Sequence, residues 1–117
     1  MSKLEGLYPF MAAEKLKALA LKIMDREVEG IKLYTLFPFL EKKDLNEVIR
    51  TLIETKDGFN LKRAIPFMTS DMMDEVFEVV QKGGIEALSE EHFYPFLSKD
   101  KLKSLFETYV EEASIKE

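Results

Sequence analysis

Few side chains in this sequence have the chemistry of catalysis. The single histidine, His92, lies in Ser-Glu-Glu-His-Phe-Tyr at positions 89–94. A zinc site draws its ligands from several histidines and cysteines, and the chain has no cysteine and no second histidine. Glu90 and Glu91 are too near His92 in sequence to face it well across one helix. His92 therefore reads as a partly exposed residue near a helix start.

Carboxylates are plentiful, and Asp71 with Glu75 and Glu107 with Glu111 stand four residues apart. Such pairs are neighbours on a helix and can perturb each other's titration. General acid–base work also needs a shielded pocket, whereas these positions read as solvent-facing. Asp71, Asp74, Glu75 and Glu78 do not follow the spacing of a calcium loop. Gly83-Gly84 lacks the Lys-Ser/Thr that follows a phosphate-binding loop, and no serine stands in a Gly-x-Ser-x-Gly context. The expectation is a protein that is not an enzyme, with no catalytic, metal-binding or cofactor-binding residue.

The elements that carry these residues are set by a repeat. Pro-Phe occurs at Pro9-Phe10, Pro38-Phe39, Pro66-Phe67 and Pro95-Phe96, which uses every proline in the chain. The intervals are 29, 28 and 29 residues. Counting from each proline, apolar residues return at offsets 7, 10, 11 and 14. The sets are Leu16, Leu19, Ala20 and Ile23; Leu45, Val48, Ile49 and Leu52; Met73, Val76, Phe77 and Val80; Leu102, Leu105, Phe106 and Tyr109. Each residue of a helix turns the chain by about 100°, so these offsets fall on one face. Charged residues such as Lys42, Lys43, Asp44, Glu47 and Arg50 fill the other slots as a solvated back.

A shorter helix is expected before each proline, ending at the Pro-Phe-Leu/Met step because proline lacks an amide proton and crowds the preceding turn. The aromatic after the proline is expected to plug the corner between the two helices. Gly30, Gly58 and Gly83-Gly84 are expected to close the long helices in a left-handed conformation. Caps are predicted at Ser2 with Glu5, at Thr69 or Ser70, at Ser89 and at Ser98.

A hairpin of this length cannot bury its own stripe, but stacked hairpins can share a core. The fold class predicted is all-α, with four tandem helical hairpins of 28–29 residues over approximately 1–29, 30–57, 58–84 and 85–117. The arrangement resembles alpha-solenoid arrays of the HEAT kind, with shorter hairpins. That implies a short right-handed α-solenoid; a compact helical bundle is the alternative. Leu45, Ile49, Val76, Phe77 and Leu105 are expected among the least exposed side chains.

The 117 residues read as a single domain able to bury a core. Apolar residues make up 46% and charged residues 33%, a globular composition rather than a disordered one. No apolar run has signal-peptide or membrane-helix length, so the expected location is cytoplasmic, without membrane contact. The formal charge is −5. Residues 1–58 hold ten basic and ten acidic side chains, and residues 59–117 hold seven and twelve. An acidic second half argues against a general phosphate-backbone binder.

The leading functional expectation is a non-enzymatic protein-binding or scaffold module that uses one face of the helical array. Its partner would be a protein or peptide, or a second copy of the chain. Met72 and Val79 stand where other repeats carry Lys15, Asp44 and Lys101, or Lys22, Thr51 and Thr108. With Met68 and Tyr94 they form the candidate apolar contact, and Met72 is expected to be exposed. A regulator of nucleic acid or a transcription complex, through Lys62, Arg63 and Lys82, is the second class. A small enzyme with an unrecognised site is the third.

Overall fold

In a computed structural model of the chain, residues 3–115 are described. The fold is all-α: among those residues there is no strand, and eight helical segments alternate short and long. The predicted Ser2–Glu5 cap lies outside the described residues.

Proline sets the phase of every repeat. The short segments end on Pro-Phe: η1 (Glu5–Phe10), η2 (Leu33–Phe39), α3 (Gly58–Ala64) running into η3 (Ile65–Phe67), and η4 (Glu90–His92) followed by η5 (Tyr94–Phe96). The long helices are α1 (Ala13–Met24), α2 (Lys42–Glu54), α4 (Ser70–Gln81) and α5 (Lys99–Ile115). Each starts four residues after its proline. Between them the backbone is extended, with ψ of 149° at Met11, 144° at Leu40, 144° at Met68 and 154° at Leu97. Apart from α3, the short segments are 3-10 helices, the form suited to pieces this brief.

The expected corner plug fails in three of the four repeats, and only Phe67 is half-buried against the core. With three residues per turn, the residues before and after proline point roughly 120° apart and cannot share a face. The residue before proline goes inward: Tyr8, Phe37 and Ile65 are buried, and Tyr94 is half-buried. Phe10, Phe39 and Phe96 are exposed instead.

The long helices α1, α2 and α4 close with one hydrogen-bond pattern. Glu27 N–H donates to Lys22 O at 2.9 Å and Arg26 N–H to Ile23 O at 3.1 Å. Asp57 with Leu52 and Lys56 with Ile53 repeat it, as do Gly84 with Val79 and Gly83 with Val80. The pattern needs a left-handed residue, which is Arg26 (φ 63°), Lys56 (φ 57°) or Gly83 (φ 74°). The expected stop at Gly83 stands, but those at Gly30 and Gly58 do not. Gly58 opens α3 instead, where an added Cβ would lie 2.8 Å from Ala87 Cβ. Asp57 caps α3, accepting the Asn60 N–H at 3.1 Å. Thr69 caps α4 through Met72 N–H at 3.2 Å, and Ser98 caps α5 through Lys101 N–H at 3.1 Å.

The core runs through all four repeats, and Leu45, Ile49, Val76 and Phe77 are buried in it. Leu105 is only half-buried, since among the described residues no further repeat covers α5. The body measures 58 × 25 × 23 Å. Its radius of gyration is 16.8 Å, where a compact domain of this length has about 13 Å. The main packing joins adjacent repeats: α1 on η2, α2 on α3, α4 on η4. Ion pairs follow the same joints, with Lys17 Nζ 3.1 Å from Glu47 Oε2 and Arg50 Nε 3.5 Å from Glu75 Oε2. Asp44, expected on the solvated back, is buried under Lys17 in the first turn of α2, where the helix dipole favours a carboxylate.

Candidate functional site

The methionines singled out in the sequence belong to the interior. Met72 is 1% exposed and Met68 is also buried. Their slot explains it. Offset 6 faces the preceding repeat, so Asp44 and Met72 are covered, and Lys101 lies with its Nζ 5.5 Å from the Phe77 ring centre. Lys15, with no repeat before it among the described residues, is exposed. Val79 and Tyr94 are half-buried and pack against the core. Met68, Met72, Val79 and Tyr94 therefore do not form an exposed apolar anchor.

The chemically suggestive groups are also spoken for. His92 Nδ1 accepts the Ser89 N–H at 3.1 Å, so the histidine closes its own short turn. Glu75 pairs with Arg50 across a repeat joint. Glu107 and Glu111 border a shallow polar hollow of about 290 Å³ along one side of α5. Arg63 stacks on aromatic rings, and Lys82 Nζ pairs with Glu78 at 3.1 Å on α4. The Tyr109 hydroxyl donates to Glu90, and that bond is the main cause that raises its pKa above the ordinary phenol value. Burial, then the charges of Glu90 and Glu91, push Tyr94 the same way.

A larger cleft lies elsewhere. It has a volume of about 650 Å³ and is framed by the C-terminal ends of α1 and α2, the segment 25–33 and the first turn of α3. That size falls within the range of ligand-binding clefts. Ile23, Met24, Ile31, Tyr34 and Phe59 are among its apolar lining residues. Phe59 is 54% exposed. Tyr34 and Phe59 meet edge to face with ring centres 6.1 Å apart. Arg63 places its guanidinium carbon 3.8 Å from the Phe59 centre and 5.0 Å from that of Tyr34. Such cation–π contacts hold a flat cation in one orientation. The Asp57 carboxylate accepts from both the backbone and the side-chain amide of Asn60, which fixes the first turn of α3. Arg26, Asp25 and Lys32 supply charge of both signs at the rim.

Thr51 and Thr55 reach this cleft, but their hydroxyls lie 3.3 Å from the carbonyls of Glu47 and Leu52. The arrangement offers a socket with both apolar and polar walls and an oriented guanidinium beside it, a geometry suited to holding a ligand. Phe59 and Arg63 were not brought together by sequence reasoning. The available signal was their i,i+4 spacing, which sets an aromatic and a cation side by side on a helix.

Comparison with known protein families, curated proteins and solved structures finds no match. Among the described residues, no helix is long and apolar enough to cross a membrane.

Proposed function

We propose that the protein is a non-enzymatic protein-binding module, an open array of four helical hairpins that holds an extended segment of a partner in the cleft beside Phe59. The observation that carries this reading is a large aromatic side chain left more than half exposed at a cleft whose walls are already fixed. An apolar side chain of the partner would enter the cleft beside Phe59, Ile23 and Ile31. The free edge of the Arg63 guanidinium would bond a carbonyl or carboxylate of the same segment. Little ordering is left for the binding step, because the cation–π contacts and the Asp57 cap hold those groups in advance. The mixed charge of the rim sets the direction in which the segment lies.

A random peptide display library selected against the immobilised chain tests the reading. Selected peptides should lose roughly thirtyfold in affinity on Phe59→Ala, the loss typical of a central interface residue. Arg63→Ala should weaken them as well, and thermal melting should show both variants folded. Peptides that bind Phe59→Ala as tightly as the parent would end the proposal.

A further inference from the structure

Two slots of the repeat are fully buried in three copies and bare in the fourth. At two residues before proline, Leu36, Ala64 and Phe93 are withdrawn from solvent, whereas Leu7 is 51% exposed. At offset 11, Ala20, Ile49 and Phe77 are withdrawn, whereas Phe106 is 69% exposed. Neighbouring slots agree. Leu4 and Met11 are exposed where Leu33, Leu61, Leu40 and Met68 are buried, and Tyr109 is exposed where Leu52 and Val80 are buried. Phe10 is 83% exposed, although Phe39 in the same slot rests edge-on against Tyr8 of the preceding repeat.

These bare slots are the two halves of one joint. Inside the molecule the short segment of each repeat packs on the long helix before it. The Phe93 ring meets the Phe77 ring with centres 5.5 Å apart, which is the residue two before proline resting on offset 11. Among the described residues, η1 has no long helix before it and α5 has no short segment after it. We propose that a second copy of this chain supplies the missing half, with η1 of one copy docked on α5 of another and Leu7 seated on Phe106 as Phe93 is on Phe77. The contact continues an interface the fold already makes three times.

Two consequences follow from this registry. The joint uses different patches on the two partners, so it leaves one bare half at each end of a dimer and extends into longer assemblies. The cross-repeat ion pairs are not reproduced, because Lys103 takes the slot of Lys17 and meets Lys15 where the internal joint has Asp44. Added salt screens that repulsion, so association should strengthen as ionic strength rises.

Sedimentation velocity over a concentration series provides the test, with Leu7→Glu and Phe106→Glu as variants. The parent's mean mass should climb past that of a dimer, more readily in high salt. Each variant alone should remain monomeric at concentrations where the parent is mostly assembled. Mixed in equal amounts they should form a dimer and nothing larger, since each keeps one intact half. Both substitutions fall at exposed positions, and Met11→Glu with Val110→Glu offers a second pair should either fail to fold. A parent that stays monomeric throughout overturns the proposal. So does a dimer that survives in Leu7→Glu alone, because a symmetric pairing of two α5 helices needs no Leu7. Assembly that salt dissolves contradicts the registry. The outcome is independent of the cleft, whose residues take no part in the joint.

Discussion

Phe93 meets Phe77 edge to face, ring centres 5.5 Å apart and planes inclined at 72°. The contact joins the third repeat to the fourth and is closed to solvent on both sides. Each ring therefore contributes both buried area and a favourable quadrupole geometry. Phe77→Ala or Phe93→Ala should cost roughly 3–5 kcal/mol through lost transfer energy and a cavity. The double substitution should cost less than the sum, since the second change falls beside a cavity already made. Urea unfolding of the parent, both singles and the double measures all four corners. A strictly additive double would show that the rings do not rest on each other.

The left-handed turns at Arg26, Lys56 and Gly83 share one bond pattern but not one residue type. A side chain in that conformation is strained against its own carbonyl, and glycine is not. Arg26→Gly and Lys56→Gly should each raise stability by roughly 0.5–1 kcal/mol, the strain relieved less the added freedom of the unfolded chain. Gly83→Ala should lower it by a similar amount. Chemical denaturation reads the sign, and loss of stability in both glycine variants would contradict the turn geometry.

Tyr109 and Tyr94 respond to alkaline pH. Both phenols are raised in the folded protein, Tyr109 chiefly by its hydrogen bond to Glu90 and Tyr94 chiefly by burial. The unfolded chain thus releases these protons first. The stability they contribute is complete below the ordinary phenol value near 10 and disappears as pH climbs through the folded values. Spectrophotometric titration should show Tyr94 and Tyr109 ionising above the ordinary phenol value. Tyr109→Phe should remove one late step and flatten the alkaline fall in stability.

Much of this architecture was legible in the residues. The offsets 7, 10, 11 and 14 located the buried stripes of α2 and α4, because helical phase decides which of Leu45, Asn46 and Glu47 turns inward, whereas Phe106 and Tyr109 at the same offsets of α5 are exposed. Proline located each corner. The facing of Phe39 and Phe37 was not legible, since residues two apart point apart at either winding and one repeat alone does not say which of them its neighbours cover. Arg26 and Lys56 carry no glycine to announce a left-handed turn. Met72 was misread because its slot meets the preceding repeat, and one repeat read alone has no neighbour. The cleft escaped for a related reason: Ile23, Tyr34 and Phe59 come from three different repeats.

The packing of each repeat on the next also governs how the chain reaches this form. Partners lie within one repeat of each other in sequence, so few long loops must close before contacts are gained, and chains of that kind fold fast. The middle repeats are clasped on both sides, whereas η1 and α5 are each clasped on one. Amide protons in α2 and α4 should therefore exchange at the rate of global unfolding, and those of α5 through smaller openings that leave the rest intact. Heating would then fray the chain inward from η1 and α5, with the joint between α2 and α3 the last to part.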